Sequence, residues 1–189
     1  MFKKIFLVSV LLLVSCWDNT VVDNVWLNNI DKWNFSINIP SNWEIIENTQ
    51  NILPKPNNWE IELAVASKVL KNWFKNNLLI LSDELNTFTS SKDFSMLNNV
   101  WASKDYIDYT LLDTKKFIFT DLEESVLYIF EAKYNYDSPK LKFLQTAHIC
   151  NQKKWYFFTI AIPVSIKDTS KYEALLQSFA CKNLTNDEL

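Results

Sequence analysis

Glycine is absent from all 189 residues of the chain. At ordinary usage of roughly 7%, about a dozen would be expected. Glycine is the default wherever the backbone must take φ > 0, and a β-rich domain has many such places. Arginine is missing too: each of the 19 basic residues is lysine, which lacks the planar fork that grips phosphate in a bidentate way. The formal charge is −3, and losing Lys3 and Lys4 with a leader would leave −5. A chain without a basic face is a poor ligand for nucleic acid, so no nucleic-acid partner is expected. With Cys16 set apart at the N-terminus, the one histidine and the two remaining cysteines, Cys150 and Cys181, cannot close an ordinary four-ligand zinc site.

Against these shortages stand eight tryptophans. Several occur where turn signals belong, at Asn58-Trp59, Asn72-Trp73 and Lys154-Trp155. With glycine in place of tryptophan, the first two become Asn-Gly, a strong hairpin signal. A UGA codon used for glycine but translated as tryptophan would leave this imprint. Richness in Asn, Lys, Ile and Phe fits the AT-rich genomes in which such recoding occurs. The expectation covers Trp17, Trp59, Trp73, Trp101 and Trp155.

The N-terminus has a clear order. Lys3 and Lys4 form a positive segment, residues 5–14 an apolar run, and Leu13-Val14-Ser15-Cys16 closes it. The run is too short to span a bilayer, which takes roughly 18 residues or more, and suits a signal peptide. Its last four residues resemble the lipobox of bacterial lipoproteins, with Leu13, Val14 and small Ser15 preceding Cys16. That resemblance implies cleavage before Cys16, a diacylglycerol thioether on its sulfur, and further acylation of the palmitate type. Two or three acyl chains, at about 0.8 kcal/mol per buried CH₂, hold a protein on a membrane almost permanently. The expected location is the cell envelope, lipid-anchored on the extracytoplasmic side. Trp17, not aspartate, follows Cys16, so the usual inner-membrane retention signal is missing there.

The chain as a whole is globular in composition, 48% hydrophobic and 22% charged. We read residues 1–15 as signal peptide, 16–32 as lipidated Cys16 and polar tether, 33–182 as one domain, and 183–189 as a polar tail. Period-2 patterning dominates. Phe35, Ile37 and Ile39 alternate with polar residues up to Pro40, and residues 43–46 are expected to pair with that strand. Residues 51–58 read as a loop. Further strands are predicted at 60–69, 78–81, 109–112, 117–120, 126–134, 142–150 and 155–162, the last three as an antiparallel meander. Ser90 opens a helix whose Phe94, Leu97, Val100 and Trp101 roughly share a face. Ser170 with Glu173 reads as a capping box for a closing helix with the stripe Tyr172, Leu175, Leu176, Phe179. The expected fold class is α+β, an antiparallel sheet flanked by helices.

The run Phe35-Ser36-x-x-x-Pro40-x-x-Trp43 resembles the opening of PsbP-like domains, related to the extrinsic photosystem II protein and its bacterial relatives. The later order is similar: a serine-led helix, a strand over 124–134, a strand carrying Gln145, the aromatic strand Tyr156-Phe157-Phe158-Thr159, and a helix ending in Ser178-Phe179. The resemblance covers nearly the whole mature domain and implies an α/β/α sandwich. Its motifs are structural: Pro40 ends a strand and Trp43 covers one edge of the core. It also implies a protein that binds and stabilises other proteins, with no site residues to carry over.

Candidate chemistry is sparse. His148 is the only histidine, so a histidine-dependent hydrolase would need it as base beside a serine or Cys150, which lies two residues on along one strand and shares its face. Glu123-Glu124 and Asp105 with Asp108 lack the spacing of a calcium loop and read as solvated charges. Cys150 and Cys181 are an even pair once Cys16 is acylated, and in an oxidising compartment could form a disulfide between strand and helix end. We expect no catalytic set, no metal and no cofactor. The reading is a membrane-anchored, non-enzymatic domain that binds or supports an envelope protein. The alternatives are a small-ligand or metal-binding lipoprotein, and a hydrolase using His148.

Overall fold

The computed structural model describes residues 27–47, 59–70 and 73–182. The signal segment, the lipobox with Cys16, most of the expected tether, the 51–58 loop and the polar tail lie outside the described residues. In chain order the elements are β1 (Leu27–Asp31), β2 (Phe35–Pro40), β3 (Trp43–Ile45), β4 (Glu60–Ser67), β5 (Asn77–Glu84), α1 (Ser91–Asp105), β6 (Ile107–Ile118), β7 (Glu124–Lys133), β8 (Leu141–Cys150), β9 (Lys154–Pro163), α2 (Ser170–Gln177) and β10 (Ala180–Cys181).

Seven strands form one antiparallel sheet in the order β3-β4-β5-β9-β8-β7-β6. Alternation gives it two faces. On one, Leu144, Tyr156, Phe158, Ile160 and Ile162 join Phe35, Ile37 and Ile39 of β2 and the α2 stripe Tyr172, Leu175, Leu176 and Phe179 in the main core. On the other, Phe130, Phe143 and Ala161 meet Ala102 of α1. Strand β8 is buried along its whole length because both faces are covered. The fold is α+β, a large antiparallel sheet between helical layers.

Some local readings change. Leu27–Asp31, the last part of the expected tether, pairs with β2 as a strand. Residues 43–45 do not pair with β2. They pair with β4 and take Trp43 into the larger sheet, while β2 lies between β1 and β10. The two strands read at 109–112 and 117–120 are one continuous β6. The closing helix begins one residue earlier than the capping box requires: Thr169, not Ser170, is its N-cap, and the Thr169 Oγ1 hydroxyl donates to Glu173 Oε1 at 2.7 Å.

The residues of the PsbP-like pattern are structural. Phe35 is fully buried and stacks on Phe179, with ring centroids 5.1 Å apart. Ser178 Oγ accepts the Asn38 backbone N–H at 3.0 Å, tying α2 to β2. Pro40 is the last residue of β2, and Trp43 is buried.

The tryptophans divide. Trp73 sits in a turn at φ 63°, in the left-handed region, and is 94% exposed. Trp155 is not in a turn. It is the second residue of β9, 4% exposed, with its ring centroid 4.7 Å from that of Phe94 and 4.9 Å from that of Trp59. The turn itself falls on Asn151 and Gln152, both at positive φ.

Candidate functional site

Helix α1 is capped as its sequence implies: Ser90 Oγ accepts the Asp93 backbone N–H. The side it buries is not the apolar one. Ser91, Ser95, Asn98 and Ala102 face the sheet, at i, i+4, i+7 and i+11. Polar bonds hold it there. The Ser91 hydroxyl accepts the Ile149 backbone N–H at 2.8 Å and donates to Glu123 Oε1, and the Ser95 hydroxyl donates to the Val126 carbonyl at 2.7 Å. Leu97 and Val100 therefore point away, joined by Met96, while Trp101 sits at the helix edge that borders the cleft beside α1; all four are 43–47% exposed. Phe94 alone of the expected face turns inward, against Trp155.

Between α1 and the uncovered part of that sheet face lies an open cleft of about 540 Å³, lined by aromatic residues including Trp59, Trp101, Tyr106 and Phe157. Gln145 also lines it, with its Nε2 donating to Thr159 Oγ1 at 3.0 Å. Burial pushes the Tyr106 phenol well above its usual range, and repulsion from Tyr134 adds to this.

His148 points to the opposite face. It is 2% exposed, with the Phe119 and Phe179 ring centroids 4.6 and 5.1 Å from its own. Its Nε2 lies 2.9 Å from Asp121 Oδ2, and its Nδ1 lies 3.3 Å from Cys181 Sγ and 3.9 Å from Cys150 Sγ. A disulfide joins Cys150 and Cys181, whose Cα atoms are 5.6 Å apart. Because Cys181 belongs to β10, the bond ties the small sheet to the large one, and not a helix end to a strand. Burial alone would raise the Asp121 carboxyl. The hydrogen bond and charge of His148, with the Cys181 and Glu123 backbone N–H groups, outweigh it and hold the carboxyl below its usual range. An ionised carboxylate only accepts hydrogen bonds, so the proton in this contact resides on Nε2, and Nδ1 faces the sulfurs.

The histidine is thus held through Nε2, with Nδ1 against the disulfide, and lies across the sheet from the cleft. Asp121 was not visible as its partner in the sequence. It is 27 residues away on the turn between β6 and β7, and no motif flags it. The acidic pairs separate: Glu123 accepts from Ser91, Glu124 pairs with Lys116 at 2.7 Å, and Asp108 with Lys133 at 3.0 Å, while Asp105 lies at the cleft. Ligand atoms of His148, Cys150 and Cys181 all lie within 4.8 Å of one another, but in this state the disulfide commits both sulfurs. Among the described residues, no helix is long and apolar enough to cross a membrane.

Element order and layers make this an α+β domain, and its fold is like that of PsbP. The solution structure of cyanobacterial PsbP (CyanoP) from Synechocystis sp. PCC 6803 matches with a TM-score of 0.56 at 15% identity, over 90% of this chain and 99% of that one. A protein of unknown function from Pseudomonas aeruginosa, PA94, matches with a TM-score of 0.52 at 9% identity, over 83% of this chain and 98% of that one. At such identities the likeness establishes the fold. No protein-family model and no curated protein sequence matches the chain.

Proposed function

We propose that this protein is a lipoprotein of the cell envelope, anchored through acylated Cys16 on the extracytoplasmic side, whose PsbP-like domain binds another envelope protein without catalysing a reaction. The observation that carries the binding role is the reversed orientation of α1. A helix that buries serine and asparagine and turns Met96, Leu97, Val100 and Trp101 to solvent leaves apolar area uncovered in the free protein. Apolar patches of this kind mark contact sites. A helix surface with anchors at i, i+3 and i+4 suits a protein groove. Location rests on the Leu13-Val14-Ser15-Cys16 pattern, with which a disulfide between Cys150 and Cys181 is consistent.

The cleft beside α1 favours a second reading, a carrier of a small, largely apolar ligand. The hydrolase reading loses support, because His148 is buried and the sulfurs its Nδ1 faces are joined in a disulfide, which leaves no thiol nucleophile there. A photo-crosslinker at Leu97, compared with one at exposed Lys171 of α2, tests the choice in native envelopes. A discrete adduct from Leu97 only, lost in Val100→Glu, is the expected result. No adduct from either site, with a small molecule extracted from the purified protein, would replace the protein-binding reading with the carrier reading.

A further inference from the structure

We propose that reduction of the Cys150–Cys181 disulfide converts this corner of the fold into a site for a thiophilic divalent cation of the zinc type, held by His148 Nδ1, Cys150 Sγ and Cys181 Sγ. Three observations carry it. The ligand atoms already converge, with Nδ1 3.3 and 3.9 Å from the two sulfurs. In a tetrahedral centre with Zn–N near 2.0 Å and Zn–S near 2.3 Å, the N···S separation is about 3.5 Å, between those values. Reduction must part the sulfurs to about 3.8 Å, within reach of side-chain rotation from Cα atoms 5.6 Å apart.

The second observation is the far side of the imidazole. Asp121 holds Nε2 at 2.9 Å and is itself fixed by the Cys181 and Glu123 backbone N–H groups. Metal-bound histidines carry such a carboxylate on the non-ligating nitrogen, which sets the tautomer and aims the lone pair. The third is the surroundings. Phe119 and Phe179 enclose the imidazole, while half-buried Cys181 and the partly exposed Asp121 leave a way in from solvent. Solvent would take the fourth position.

The chemistry balances with an external dithiol reductant. Its thiolate attacks the more accessible Cys181 sulfur, the S–S bond breaks, and Cys150 leaves as thiolate and takes a proton. The second thiol of the reductant then resolves the mixed disulfide and releases Cys181 as a thiol, so two electrons pass from the dithiol, which becomes a disulfide. Binding the cation displaces the two thiol protons to water. Asp121 is a positioning residue.

The test uses the full chain carrying Cys16→Ser, so that no third thiol competes, with Co²⁺ as spectroscopic probe and Zn²⁺ in chelator competition. Reduced protein should bind one equivalent of Co²⁺ with thiolate-to-cobalt charge-transfer absorption that Zn²⁺ abolishes, and oxidised protein should not. His148→Gln should weaken Zn²⁺ binding at least tenfold, and Asp121→Asn by roughly 10- to 100-fold with the charge-transfer band retained. Absence of that band in reduced protein would overturn the proposal, as would equal binding before and after reduction or in Cys150→Ser/Cys181→Ser. If reduction unfolds the chain, Zn²⁺ should restore its circular dichroism, and failure to do so overturns the proposal equally.

Discussion

Substituting glycine at two of the tryptophans should move stability in opposite directions. Trp73 is held at φ 63° and is 94% exposed, so its side chain buries almost nothing. A Cβ in the left-handed region costs about 1–2 kcal/mol, and glycine's extra freedom in the unfolded chain offsets about 0.5–1 kcal/mol of the relief. Trp73→Gly should therefore stabilise the domain by about 0.5–1 kcal/mol. Trp155 is buried at the start of β9 against Phe94 and Trp59. Removing an aromatic side chain there costs about 3–5 kcal/mol, and glycine within a strand roughly 0.5–1 more. At about 2–4 °C per kcal/mol for a domain of this size, calorimetry should show a rise of about 2 °C for Trp73→Gly. For Trp155→Gly it should show a fall on the order of 10–20 °C. Shifts of the same sign, or a tolerated Trp155→Gly, would refute the reasoning. Reading the gene adds a second check: a UGA codon is expected at Trp73, UGG at Trp43 and Trp155, and UGG at Trp73 removes recoding there.

Removing the disulfide as Cys150→Ala/Cys181→Ala should cost about 3–4 kcal/mol by loop entropy for its span, read from the urea midpoint at unchanged slope; loss below 1 kcal/mol would place the restraint elsewhere. The Asp121 carboxyl is held below its ordinary value, so its contribution is present above the unfolded pKa and is lost as pH falls through the lower folded one. Asp121→Asn should therefore flatten the acid limb of the stability profile below about pH 4 and leave its shape near neutrality unchanged. Cys16→Ser should abolish metabolic labelling with palmitate and move the protein from the membrane to the soluble fraction; retention on membranes would end the lipid-anchor reading.

The strands over 126–134, 142–150 and 155–162 were legible because each alternates or runs apolar between clear turns, and the α2 stripe was legible because four apolar residues recur at helical spacing. Helix α1 was legible in its cap and spacing but not in its orientation, for a physical reason. Periodicity locates an apolar face but does not say whether the fold covers it, and here serine hydroxyls serving Ile149 and Val126 decide which side turns inward. Strand β3 was assigned the wrong partner because short-range proximity favours a hairpin with β2, whereas Trp43 gains burial only in the larger sheet. Asp121 was invisible as a partner of His148 because a turn 27 residues away carries no periodic signal.

By itself, the order of residues determined the α+β class, the meander of β7, β8 and β9, the closing helix and the unusual absence of glycine, since each is a property of local spacing or composition. Only tertiary structure decided that His148, Asp121, Cys150 and Cys181 meet, that α1 shows its apolar side to solvent, and that Trp73 and Trp155 occupy opposite environments. Those outcomes depend on long-range packing, in which the burial of one segment is set by segments far away in the chain.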